Sequence, residues 1–216
     1  MKQCIFSIAI LLIFLIQHVN GQFSLGITGG VNNAGLVGDA PPDGKYTSNK
    51  GYGFGIIGEY DVAKDVKISL QPMIMQKGAN IAYKVPDQDD PKDSISINLD
   101  YFTIPVLVKV IANNGKTYVS GGLNIGFSIN TKLKAEGQEE VDINNTIKPL
   151  DVAVNFGVGV MVPIGKPKII IEGRYAQGLF NISEPEKELE ETSIKPAFRT
   201  TGLQLFFGFI YPFGKK

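Results

Sequence analysis

The sequence predicts an all-β chain, an eight-stranded antiparallel up-and-down transmembrane β-barrel. Three observations carry this. Hydrophobicity alternates with a period of two along most of the chain, the alternating segments are long, and the connections between them alternate short and long. A period of two puts successive side chains on opposite faces of a strand. No segment shows the three- and four-residue spacing of an amphipathic helix.

The first segment stands apart from the barrel. Lys2 precedes an apolar run from Ile5 to Ile16, and Gln17, His18, Val19, Asn20 and Gly21 follow. A basic start, a short apolar stretch and a small-residue ending describe a secretory signal peptide over residues 1–21, cleaved after about Gly21. The run is too short to span a bilayer as a helix, which takes about 20 residues. Residues 22–216 are then one outer-membrane β-barrel domain.

The eight strands fall at about 23–33, 52–61, 66–79, 98–111, 117–130, 151–163, 168–181 and 198–213. In the first, Phe23, Leu25, Ile27 and Val31 share one face, opposite Ser24, Thr28 and Asn32. In the second, Tyr52, Phe54, Ile56 and Tyr60 oppose Gly53, Gly55 and Glu59. Val119, Leu123, Ile125 and Phe127 oppose Ser120, Gly122, Asn124 and Gly126 in the fifth. Val152 to Val162 repeat the pattern in the sixth, against Asn155, Gly157 and Gly159. A soluble strand has a mode of about 5–6 residues; a tilted membrane strand needs about 9–11. Pro72 and Pro105 each remove a ladder hydrogen bond, and a closed barrel has no edge strand to hide them, so bulges or local breaks are expected there.

Three connections are short: 62–65, 112–116 with the hairpin dipeptide Asn114-Gly115, and 164–167. Four are long: 34–51, about 80–97, 131–150 and 183–197. This is the pattern of an outer-membrane barrel, with short turns in the periplasm and long loops outside. The long connections carry an excess of acids, the short ones and the C-terminus an excess of bases. Aromatic residues such as Tyr52, Tyr60, Phe207, Tyr211 and Phe213 cluster toward strand ends, as interfacial girdles do.

Alternation alone fits two barrels. In a soluble one the Val, Ile and Phe faces point inward and the interior binds a small apolar ligand. In a membrane one they meet lipid. The polar faces here are Gly, Ser, Asn and Thr rather than Lys and Glu, which suits a narrow packed interior and favours the membrane.

Composition narrows the chemistry. Lys plus Arg and Asp plus Glu are both 21, so no basic nucleic-acid surface is expected. The single cysteine, Cys4, and single histidine, His18, both lie in the signal. The remaining chain is without Cys, His and Trp. That excludes disulfides, thiolate or Ser-His-Asp catalysis, and Cys/His metal sites. No cofactor, metal or catalytic residue is assigned, and the chain is read as a non-enzyme.

The charges left inside strands are the candidate site. Glu172 and Arg174 share a face, and Glu59 and Lys109 are placed on polar faces too. A charge on the lipid face costs about 2–4 kcal/mol near the midplane, so these four point into the lumen. They form either a structural ion-pair plug or a proton or ion path; the plug is favoured, because eight strands leave room only for side chains. The narrow pore stays as a further alternative. Acidic runs at Asp87, Asp89, Asp90 and Asp93, at Glu136, Glu139, Glu140 and Asp142, and at Glu184 to Glu191 read as solvated loop charge, lacking the rest of a cation loop. Gly53-Phe54-Gly55 and Gly157-Val158-Gly159 lie inside strands and fail as phosphate cradles.

Two segments carry a resemblance. Asp100-Tyr101-Phe102-Thr103-Ile104-Pro105 resembles the D-Y-x-x-I-P signature of the PorT-like outer-membrane β-barrel family of Bacteroidota. Glu172-Gly173-Arg174-Tyr175 with Gly178-Leu179-Phe180-Asn181-Ile182 resembles its E-x-R-Y-x-x-G-L-x-N-I segment. The resemblance implies a small, signal-bearing outer-membrane barrel, of a kind mostly without assigned activity, and supplies no catalytic residues. PorT itself is linked to type IX protein secretion. The expected role is structural or interactive, with outer-membrane lipid around the wall and a protein partner at the extracellular loops.

Overall fold

The computed structural model describes residues 23–83, 92–135, 137–143, 146–183 and 197–213. The expected signal peptide, the acidic run at 87–90 and the run at 184–191 lie outside the described residues. Ten strands form one antiparallel sheet: β1 (Phe23–Gly38), β2 (Gly44–Ala63), β3 (Val66–Leu70), β4 (Met73–Tyr83), β5 (Lys92–Ala112), β6 (Thr117–Ala135), β7 (Val141–Asp142), β8 (Leu150–Pro163), β9 (Lys168–Gly178) and β10 (Phe198–Phe213).

The ladders return to their start. β1 pairs with β2 and β10; the order then runs β10, β9, β8, β6, β5, and β5 pairs with both β3 and β4, which pair back to β2. β3 and β4 act as one wall position. Gly58 faces Leu70 and Gly55 faces Met73 in a single register, and so do Val106 with Leu70 and Thr103 with Met73. Eight wall positions therefore close the ring, with β7 as a two-residue addition to β6.

Pro72 makes the break between β3 and β4. Its carbonyl stays in the ladder, accepting from Ile56 N–H at 3.0 Å, while the proline nitrogen has nothing to donate. Pro105 behaves otherwise than expected: β5 runs through it unbroken, and its carbonyl accepts from Gln71 N–H at 3.0 Å. The register shifts of that strand fall instead between Asp100 and Tyr101 against β6, and opposite Ile81 and Ala82 against β4. One missing donor is tolerated where both flanking pairs hold the strand.

The strands are longer than the alternation predicts. β2 reaches Gly44, β5 starts at Lys92 and β6 reaches Ala135, so part of the expected long loops 34–51, 80–97 and 131–150 is wall. The apolar alternation ends where the lipid ends, and beyond it the outward face is polar, as with Lys50, Ser48 and Lys45. Periodicity reads the part of the strand that needs an apolar face and misses the part in water. Only β9 is shorter than expected, ending at Gly178. The three short connections are tight; in 113–115 Asn113 and Asn114 take positive φ before Gly115.

The faces are sharply divided. Tyr52, Phe54, Phe156, Val158 and Leu203 are more than 60% exposed on the outside. The soluble alternative needs these faces inward, and the wall turns them outward. Inside, two apolar layers lie at the ends. At the loop end Leu36, Ile81, Ile97, Leu99, Tyr101 and Phe198 pack with Ile147 and Ile182, which arrive from the connections after β6 and β9. At the turn end Ile57, Tyr118, Met161, Ile170 and Ile210 form the second layer. Met73, Met75 and Phe206 pack together as a third cluster.

Candidate functional site

The lumen holds two ion networks. In the first, alternation on four wall positions turns Glu59 of β2, Lys109 of β5, Tyr118 and Ser120 of β6, and Glu172 and Arg174 of β9 inward, where all are buried. Lys109 Nζ donates to Glu59 Oε1 at 2.9 Å and stands 3.6 Å from Glu172 Oε2. Arg174 donates through Nε at 3.1 Å and Nη2 at 3.0 Å to Glu172 Oε1. Tyr118 OH and Ser120 Oγ complete the carboxylate at 2.8 and 2.9 Å.

The break at Pro72 has a use here. Gln71, between β3 and β4, keeps its backbone bond to Pro105 and accepts from Arg174 Nη2 at 2.8 Å through Oε1, while its Nε2 donates to Ser69 Oγ at 3.0 Å. The Arg174 guanidinium also lies over Phe206, 4.9 Å from the ring centre, and Lys109 Nζ lies 4.5 Å from that of Tyr118. Small residues make the room. A Cβ on Gly157 would fall 2.7 Å from Glu172 Oε1, and one on Gly159 2.3 Å from Tyr118 Cζ.

The second network was not singled out by the sequence reading. Lys77 Nζ of β4 donates to Asp151 Oδ2 of β8 at 2.7 Å, and Thr200 Oγ1 of β10 donates to the same oxygen at 2.8 Å. Asp151 is fully buried, and Lys77 lies 4.8 Å from the Tyr101 ring centre. The signal available was the inward parity of Lys77 with Met73 and Met75, and of Asp151 with Ala153 and Asn155. Elsewhere in the lumen Asn124 Oδ1, both ends of the Asn155 amide, and Asp151 Oδ1 carry no hydrogen bond to the protein.

Two cations and two anions in the first network, and one of each in the second, leave the interior close to neutral. Glu172 and Asp151 are each fixed between donors and Glu59 takes the Lys109 ammonium, which is what keeps a buried charge tolerable. Glu59, Lys109, Glu172 and Arg174 are thus one connected cluster, sealed from each end by an apolar layer.

The resembling segments divide among several jobs. Tyr101 is buried above Lys77, and Pro105 faces inward; Asp100 and Ile104 point outward. Tyr175 is exposed and donates to Gln177 Oε1 at 2.7 Å. Gly178 ends β9, Leu179 is exposed, and Asn181 Oδ1 accepts from Ser183 N–H and Phe198 N–H, both at 3.0 Å, fastening the start and end of the β9–β10 connection. Of the acidic loop residues, Glu140 pairs with Lys132 at 3.0 Å. Among the described residues no three acidic or other ligating groups converge on a metal-sized site.

A closed antiparallel wall with an apolar exterior and a filled polar interior defines a class, the membrane β-barrels. The family model for the outer membrane protein beta-barrel domain matches residues 17–184, and the chain belongs to that family. It is an outer-membrane β-barrel. Among solved structures it is similar to OprG of Pseudomonas aeruginosa, at 13% identity and a TM-score of 0.50, over 91% of this chain and 98% of that one. It is also similar to Ail of Yersinia pestis, at 12% identity and a TM-score of 0.45, over 89% and 99%. Neisserial surface protein A matches at 12% identity and a TM-score of 0.44, over 88% and 97%. No curated protein matches the chain.

Proposed function

We propose that this chain is a structural and interaction protein of the outer membrane, with no turnover chemistry of its own. The observation that carries this is the filled lumen. Two buried ion networks lie between two apolar layers, so the interior serves stability rather than passage. Recognition falls to the loop end and the outer wall. Residues 1–21 act as the signal peptide and are removed after about Gly21; the short turns face the periplasm and the long connections face outside.

Planar-bilayer recording of the folded full-length mature protein tests this. The expected trace stays at baseline. A steady unitary current, altered by Arg174→Ala, makes the chain a narrow pore instead.

The finer assignment is to the PorT-like group, with a link to protein secretion. It is supported by the two short motifs around Asp100 and Glu172. Deleting the gene and measuring secreted cargo at the cell surface tests the link. Loss of cargo supports it, and unchanged cargo removes it.

A further inference from the structure

Above the apolar band the outer wall changes character. Tyr52, Ile74 and Phe102 are exposed at the upper edge of the lipid-facing surface. Directly beyond them Gln76 stands opposite Asp100, and Asp100 opposite Asn130; one step further Gly78 stands opposite Asn98, and Asn98 opposite Lys132. Gly78 has φ of +131°, and a Cβ there would lie 2.0 Å from the Ile97 carbonyl oxygen. Only glycine fits, so the wall is bare at that point. Asn49 Nδ2 reaches across it to Asn98 Oδ1 at 2.8 Å.

The result is a groove of about 300 Å³. Four amides line it: Asn49, Gln76, Asn98 and Asn130. Its charged residues are Lys50, Lys77, Asp100, Lys132 and Glu140. We propose that this groove binds a carbohydrate, the sugar headgroup of a glycolipid in the outer leaflet. The inference rests on the membrane-barrel reading and adds a ligand class to it.

Charge decides between ligand classes. Lys77 is committed to Asp151 on the lumen side at 2.7 Å, and the two ammonium groups and two carboxylates that remain cancel. Lys132 is held by Glu140 at 3.0 Å, and Asp100 accepts from Asn130 Nδ2 at 3.4 Å. A phosphate site needs cations in excess. A hard-cation site needs several oxygens with no ammonium among them. Neutral amides remain, each a donor and an acceptor on one planar group, and neighbouring sugar hydroxyls both donate and accept. The internal contacts engage Asn49 and Asn130 through Nδ2 and Asn98 and Gln76 through their carbonyl ends. Position decides the source: the groove opens onto the row above Tyr52, Ile74 and Phe102, where a lipid headgroup lies.

The test uses the full mature chain, folded in lipid nanodiscs with labelled side-chain amides. A heat-dependent gel shift is recorded first, so a failure of the barrel reading is seen separately. The probe is lipopolysaccharide freed of its acyl chains, with and without its phosphates; intact lipopolysaccharide in the disc is the third arm. The expected result is a shift of the Asn49, Asn98 and Asn130 amide signals by the dephosphorylated sugar. Intact glycolipid should bind more tightly than the free sugar, and affinity should fall at least tenfold in Asn98→Ala and in Asn130→Ala. A shift that vanishes once phosphate is removed overturns the proposal in favour of an anion site. Equal affinity for free sugar and glycolipid overturns the membrane source. No shift from a heat-modifiable barrel, or unchanged affinity in both variants, overturns the site itself.

Discussion

Glu172 and Lys109 meet across the lumen, 3.6 Å between Oε2 and Nζ, from strands β9 and β5 that share no hydrogen bond. Their contact, extended by Arg174 on one side and Glu59 on the other, ties non-adjacent walls of the barrel through its centre. Glu172→Ala leaves two buried cations facing Glu59 alone. The expected cost is about 3–5 kcal/mol, the usual penalty for an uncompensated buried charge. Urea unfolding in detergent micelles measures it, and a midpoint equal to that of the parent protein sinks the cross-lumen tie.

The lumen is tight enough for one methyl group to matter. Gly159→Ala puts a Cβ 2.3 Å from the Tyr118 ring, whereas nothing lies within 4 Å of the same atom on Gly173, which points outward. Overpacking of this kind costs about 1–3 kcal/mol. Gly159→Ala should lower the unfolding midpoint and Gly173→Ala should not, with the two compared under one refolding protocol.

The second network predicts non-additivity. Lys77→Met alone strands Asp151, which is fully buried, and should destabilise by about 3–5 kcal/mol. Adding Asp151→Leu removes the stranded charge and should restore most of the loss. A double-mutant cycle that comes out additive would show that Lys77 and Asp151 do not depend on each other.

The exposed pair Lys132–Glu140 predicts a two-sided pH response. The hydrogen bond from Lys132 holds the Glu140 carboxyl below its ordinary range, and the same bond raises the Lys132 ammonium above its own. The Glu140 contribution is present above the ordinary carboxylate range and fades as pH falls through the lowered value. The Lys132 contribution is present below the ordinary lysine range and fades as pH rises through the raised one. Side-chain signals at residues 137–143 should therefore hold steady at neutral pH and move at both extremes. In Lys132→Met the movement at high pH should disappear, and the Glu140 movement should set in at a higher pH than in the parent protein.

The membrane-spanning part of the fold is legible in the sequence because lipid enforces it. Phe54, Ile56, Leu123 and Val158 must face outward for the wall to be stable, so their alternation marks the strands. Glu172 and Arg174 are legible for the converse reason, since only the lumen tolerates them. The upper wall is a different case. Residues such as Lys50 and Lys132 meet water, where the outward face needs no particular hydrophobicity, and their stretches of strand read as loop. Ile147 and Ile182 are also invisible to periodicity: each lies in an irregular connection with no alternation to place it, and only the closed mouth gives it a place. The pairing of Lys77 with Asp151 joins β4 to β8 through space, which no local pattern encodes.

The seam between β1 and β10 runs from Phe23 opposite Phe213 to Gly38 opposite Phe198. It joins the first strand of the wall to the last one synthesised. Before β10 exists, β1 has a full row of backbone donors and acceptors with no neighbour, and in hydrocarbon each such group costs several kcal/mol. A partly built wall therefore has no resting place in the bilayer. The strands have to be kept in an aqueous setting until the chain is whole, and entry into the membrane and closure of the ring become a single event.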